Sequence, residues 1–81
     1  MYPENLLKLH EAIVIALINT TTRTSTFTEI ANFIEKKNLF PKRKGNISLA
    51  QQVMLRSTKS RGRYTYLFEQ IDKETIGLKN L

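Results

Sequence analysis

The chain has 81 residues, with 13 Lys or Arg against 7 Asp or Glu, one His and no Cys. That length predicts one domain over residues 1–81 and excludes two, with a core worth only about 3–5 kcal/mol of net stability. Without Cys there is no disulfide framework or thiolate metal site, and one His cannot build a multi-His site, so no metal is expected; no cofactor is expected either, and the setting should be reducing and cytoplasmic. The longest apolar run, Ala12 to Ile18, is seven residues and too short to span a bilayer. The start Met1-Tyr2-Pro3-Glu4 lacks the basic n-region of a signal peptide. No membrane partner is expected.

In chain order, Leu6, Leu9, Ile13, Ala16 and Leu17 recur at helical spacing and predict a helix from about Pro3 to Asn19. Pro3 suits the first helical position and Glu4 the positive end of the dipole. His10 reads as a boundary or surface residue. Thr20 to Thr26 is a hydroxyl-rich loop, with room for a short strand near Ser25. Thr26-Phe27-Thr28-Glu29 has the form of a capping box, which starts a second helix running to about Lys37. Phe27, Ile30, Ala31 and Ile34 form its apolar stripe. Asn38 suits a left-handed cap, and Leu39 and Phe40 return to the core.

Pro41 to Asn46 is a turn by composition. Ser48 opens a third helix, with Gln51 at the third position, extending to about Lys59. On a helical wheel Leu49, Ala50, Val53 and Ser57 share one face. Gln51, Gln52, Leu55, Thr58 and Lys59 fall on the opposite one, with Arg56 at the flank and Met54 between. Arg61-Gly62-Arg63 is a basic turn. Tyr64 to Ile71 predicts a strand, with Tyr64, Tyr66 and Phe68 on the inner side. Asp72 to Thr75 is a turn and Ile76 to Leu78 a return strand. The fold class is therefore α+β: three helices followed by a C-terminal β-hairpin.

The charge is segregated. Lys36 to Arg63 holds nine basic residues and no acidic one; the rest holds four basic and seven acidic, a net −3. A solvated basic face needs no partner, but a field of one sign over one segment favours a polyanion.

Helix, loop with a short strand, helix, turn, helix and hairpin is the order of a winged helix-turn-helix, in which the last helix enters the DNA major groove. The pattern Leu9…Ala12-Ile13, Phe27-Thr28-Glu29-Ile30, Ile34…Leu39-Phe40, Gly45, Ser48 opening the helix that holds Val53, then Phe68 before a Gly-containing hairpin ending at Leu78, resembles the HARE-type winged helix-turn-helix domains. Those occur in chromatin proteins, restriction enzymes and a bacterial RNA polymerase subunit. The likeness spans nearly the whole chain. Members often carry Thr-Pro where this chain has Ser48-Leu49, and the hairpin tip here, Asp72-Lys73-Glu74-Thr75, is acidic.

The expected function is binding of double-stranded DNA, as a transcription regulator or an accessory recognition module. If the chain is DNA-bound, the setting becomes nucleoid or nuclear. Gln51, Gln52, Leu55 and Lys59 are the candidate base contacts. Gln bonds adenine bidentately, Lys reads guanine, and an apolar side chain meets the thymine methyl. Lys42, Arg43, Lys44, Arg56, Arg61 and Arg63 are the candidate phosphate contacts, which demand charge but little geometry. The alternative is a protein-binding winged helix, polymerase- or enzyme-associated, or a homodimer through the apolar first helix. A third reading stacks single-stranded bases on Tyr64 and Tyr66, although alternating aromatics in a strand read first as core. Catalysis is not expected. His10 and Asp72 fall in the first helix and the last turn, no Gly-x-Ser-x-Gly elbow exists, and the glycines at 45, 62 and 77 form no phosphate loop.

Overall fold

The computed structural model describes residues 8–40, 47–59 and 64–79. Over these the chain is a small α+β fold, with three helices and a three-stranded antiparallel sheet.

Helix α1 is Leu9–Ile18. It starts later than the periodicity predicted, because Lys8 is extended (φ −77°, ψ 159°) and caps it. The Lys8 N–H donates to Glu11 Oε1 at 2.7 Å, so a carboxylate one turn in satisfies a donor the helix leaves open. Pro3, Glu4 and Leu6 lie outside the described residues. Leu9, Ala12, Ile13, Ala16 and Leu17 are buried, and α1 packs on both other helices and on the sheet.

The strand foreseen near Ser25 is present as β1, Thr24–Thr26. It is preceded by Arg23 in the left-handed region (φ 62°), a conformation that costs a residue with a Cβ about 1 kcal/mol. Two contacts offset that cost: the Arg23 guanidinium donates to the carbonyls of Ile18 and Thr20, closing the open end of α1.

Helix α2, Phe27–Lys36, begins where the capping box placed it. Thr26 Oγ1 accepts from the Glu29 N–H and Glu29 Oε1 accepts from the Thr26 N–H, both at 3.1 Å. At the other end Asn38 is left-handed (φ 53°). The Asn38 N–H donates to Glu35 O at 3.1 Å and the Leu39 N–H to Ile34 O at 3.0 Å. That pair of bonds is a Schellman closure, and it turns Leu39 back onto the core.

Helix α3, Leu49–Met54, is capped by Ser48, whose Oγ accepts from the Gln51 N–H at 3.1 Å. The single helix expected to reach Lys59 changes character at Leu55: Leu55–Lys59 is a π-helical turn. The Ser57 hydroxyl donates to Val53 O at 2.7 Å and the Thr58 hydroxyl to Met54 O at 2.7 Å. Adjacent hydroxyls bonding back to carbonyls of the preceding turn compete with the α-helical ladder there.

The long strand expected over Tyr64 to Ile71 is not formed. Tyr64 to Leu67 is a turn, with the N–H groups of Leu67 and Phe68 donating to Tyr64 O at 2.9 and 3.1 Å. Only Phe68–Gln70 is strand (β2), followed after the Asp72 turn by β3, Thr75–Leu78. In a helical turn residues four apart share a side, so Tyr64 and Phe68 are buried while Tyr66 between them points out, 66% exposed. The placement of Tyr66 in the core is thereby overturned.

Strand β3 is central, in the order β1-β3-β2, with Ser25 and Gln70 both opposite Ile76. Ile76 is fully buried and faces the helices beside Ile13, Leu17, Ile30, Ile34 and Val53. No helix among the described residues is long and apolar enough to cross a membrane.

Candidate nucleic-acid interface

Helix α3 is held from behind. Leu49, Val53 and Ser57 are buried and Ala50 half-buried, which fixes the rotation of the helix about its axis. That rotation sets what faces outward. Gln51, Leu55 and Lys59, four residues apart, are exposed. Leu55 is 37% exposed, on the outward face where the helical wheel places it.

Gln52 departs from the expected outer face. It is half-buried, and its Nε2 donates to Ile47 O at 3.3 Å. With one amide hydrogen engaged at the start of the helix, it is less available for a bidentate contact than Gln51. Thr58, also assigned outward, is half-buried and bonded to Met54 O.

Arg56 is half-buried at the flank of the π-helical turn, close enough to His10 of α1 to act on its charge. The His10 ring stacks on Tyr64, centroids 4.4 Å apart and planes 20° apart. Its Nδ1 is buried without a hydrogen-bond partner. Burial, with Arg56 and Lys8 adding to it and Glu11 opposing, holds the His10 pKa below its usual value of 6.5. A proton on Nδ1 would be a buried donor with nothing to receive it.

The sign of the pH effect follows. The folded state binds a proton at His10 less readily than the unfolded chain, so stability is full above pH 6.5 and falls as pH drops below that value. Urea midpoints at pH 7.5 and 5.5 should therefore differ, and His10→Gln should shrink the difference. An equal difference in the variant would place the pH dependence elsewhere. Glu29 and Asp72 act in a lower window. Backbone N–H groups of Thr26 and Glu74, respectively, bond their carboxylates and hold both pKa values down, so their contribution is lost only in stronger acid.

Lys42, Arg43, Lys44, Arg61 and Arg63 lie outside the described residues. Lys36 and Lys37, the other cations of the basic segment, are exposed at the C-terminal end of α2. Tyr66 was missed as a surface group; the four-residue spacing of Tyr64 and Phe68 was the signal that could have found it.

A separate cleft of about 360 Å³ lies between α1, β1 and α2, with Asn19, Thr20, Thr24 and Glu29 around Ala16 and Ile30. Its one carboxylate, Glu29, is committed to capping α2 and also accepts from the Ser25 hydroxyl at 3.0 Å. Comparison of the chain with protein-family models, curated proteins and solved structures finds no match.

Proposed function

We propose that the chain is a winged helix-turn-helix domain that binds double-stranded DNA, as a transcription regulator or an accessory recognition module. In this reading α2 and α3 are the helix-turn-helix pair and β2–β3 is the wing. The observation that carries it is the coincidence of two independent patterns. The element order and the β1-β3-β2 sheet fit a winged helix, and the segment with nine cations and no carboxylate covers the inter-helix stretch, α3 and the approach to the hairpin.

Gln51, Leu55 and Lys59 would face base edges, with Gln52 contributing from the side. Arg56 would bond a phosphate, joined by Lys42, Arg43, Lys44, Arg61 and Arg63 on the strength of their place in the sequence. Phosphate contacts position the helix and supply affinity; the Gln and Lys contacts would supply what sequence preference exists.

Replacing both Arg56 and Lys59 by Ala should weaken duplex binding through loss of one phosphate contact and one base contact, and should blunt what sequence preference Lys59 supplies. It should also reduce the slope of log K against log salt by about 0.9, the contribution of the one phosphate that Arg56 neutralises. Fluorescence anisotropy with a labelled duplex at four salt concentrations reads both quantities. Unchanged affinity and slope in a folded double variant would remove the third helix from the site.

A protein-binding winged helix is the second reading. Ile18 and Ile71 are 45% and 50% exposed, and the hairpin turn carries Asp72 and Glu74 at the surface. The apolar surface at Ile18 would suit a second copy or a partner through the first helix, and the apolar and acidic hairpin turn would suit a protein partner, each better than a phosphate backbone.

A further inference from the structure

Tyr66 is the most exposed of the large apolar or aromatic side chains described, at 66%. It is not on a loose segment. Tyr64, two residues earlier, is buried and stacked on His10; Phe68, two residues later, is buried in the core. Two backbone N–H groups converge on Tyr64 O, and the Lys79 N–H donates to Leu67 O at 2.9 Å, tying the turn to the end of β3.

The turn sits beside the candidate interface. Tyr64 stacks on His10, and His10 is within electrostatic reach of Arg56. The π-helical turn that carries Arg56 packs against both α1 and β2. The turn also follows directly on Arg61-Gly62-Arg63 in sequence. A Tyr has few rotatable bonds, so one presented on a pinned turn loses little freedom on binding and offers both an apolar ring and a hydroxyl donor. Among the described residues none bonds that hydroxyl.

We propose that Tyr66 is a further contact residue of the DNA surface, its hydroxyl donating to a backbone phosphate and its ring packing on the adjoining deoxyribose. The proposal rests on the duplex-binding reading above and extends that surface from Arg56 to the turn before β2. Tyrosine is a known class of phosphate donor and carries no charge at neutral pH. Its loss therefore differs measurably from the loss of a cation. A missing hydroxyl lowers affinity and leaves the salt slope alone, whereas a missing Arg lowers both.

The test compares wild type, Tyr66→Phe, Tyr66→Ala and Arg56→Ala on a labelled duplex and on the matching single strand, across a salt series. Tyr66→Phe should weaken duplex binding about tenfold, the effect of losing one hydrogen bond to a charged group. Tyr66→Ala should weaken it further. Both should keep the wild-type slope and the wild-type thermal midpoint, while Arg56→Ala should lower the slope by about 0.9. Wild-type duplex affinity in Tyr66→Phe overturns the proposal, as does an effect confined to the single strand. If wild type itself fails to bind the duplex, the functional reading fails with it. If Arg56→Ala weakens binding and the Tyr66 variants do not, only this inference falls.

Discussion

Ile13→Ala will leave much of the chain unfolded at 25 °C. Ile13 is fully buried on the face of α1 that packs on the other helices and the sheet. Truncating a buried Ile to Ala costs about 2–5 kcal/mol, the lost transfer energy plus the cavity that remains. A domain of this size without a disulfide holds only about 3–5 kcal/mol in total, so one substitution consumes most of it. Ile18, on the same helix but 45% exposed, supplies the control: Ile18→Ala should cost well under 1 kcal/mol. Urea unfolding followed by far-ultraviolet circular dichroism separates the two. Equal midpoints for both variants would mean that α1 does not anchor the core.

Gly77→Ala will also destabilise, although an exchange of Gly for Ala commonly stabilises by restricting the unfolded chain. Gly77 lies in the central strand, opposite Thr24 on one side and Glu69 on the other. A Cβ there would sit 2.8 Å from Thr24 Cγ2 and 3.1 Å from Arg23 O. Neither neighbour yields readily. Thr24 is β-branched and stiff, and the Arg23 carbonyl is fixed by the Leu78 N–H at 3.0 Å. Overpacking of this kind costs about 1–3 kcal/mol and outweighs the entropic gain. Thr24→Ser removes the offending methyl and leaves the carbonyl, so the Gly77→Ala/Thr24→Ser pair should recover part of the loss in a double-mutant cycle. A neutral or stabilising Gly77→Ala would show that the sheet has slack at this crossing.

What the sequence disclosed was local hydrogen-bond chemistry and helical periodicity. Thr26 with Glu29, Ser48 ahead of Gln51 and Asn38 after Lys37 each announce a helix end, because a short polar side chain or a left-handed residue satisfies backbone groups within a few positions. The inner face of α3 was legible for the same reason: Leu49, Val53 and Ser57 lie four residues apart. The start of α1 was not, since the apolar stripe extends back to Leu6 while the cap at Lys8 depends on one carboxylate, Glu11. The stretch after Gly62 misled because aromatic and β-branched residues alternate through Tyr64, Thr65, Tyr66 and Leu67 as they would in a strand, and a turn with buried residues four apart fits the same letters. The π-helical turn is written in Ser57 and Thr58, but only as a possibility that every Ser-Thr pair in a helix carries. Of the candidate site, the outward stripe of Gln51, Leu55 and Lys59 was readable from the wheel. The amide bond that draws Gln52 toward Ile47 was not, because it depends on where the chain enters the helix.

The most direct measurement is the affinity of the wild-type chain for a duplex at four salt concentrations between 50 and 200 mM, with backbone amide shifts recorded during the titration. If about five phosphates are neutralised, log K should fall against log salt with a slope near −4 to −5, and the shifts should fall on α3, the π-helical turn and the turn at Tyr64 to Leu67. Absence of binding at 50 mM salt, or shifts confined to α1, would contradict a DNA-binding role and favour a protein partner on the first helix.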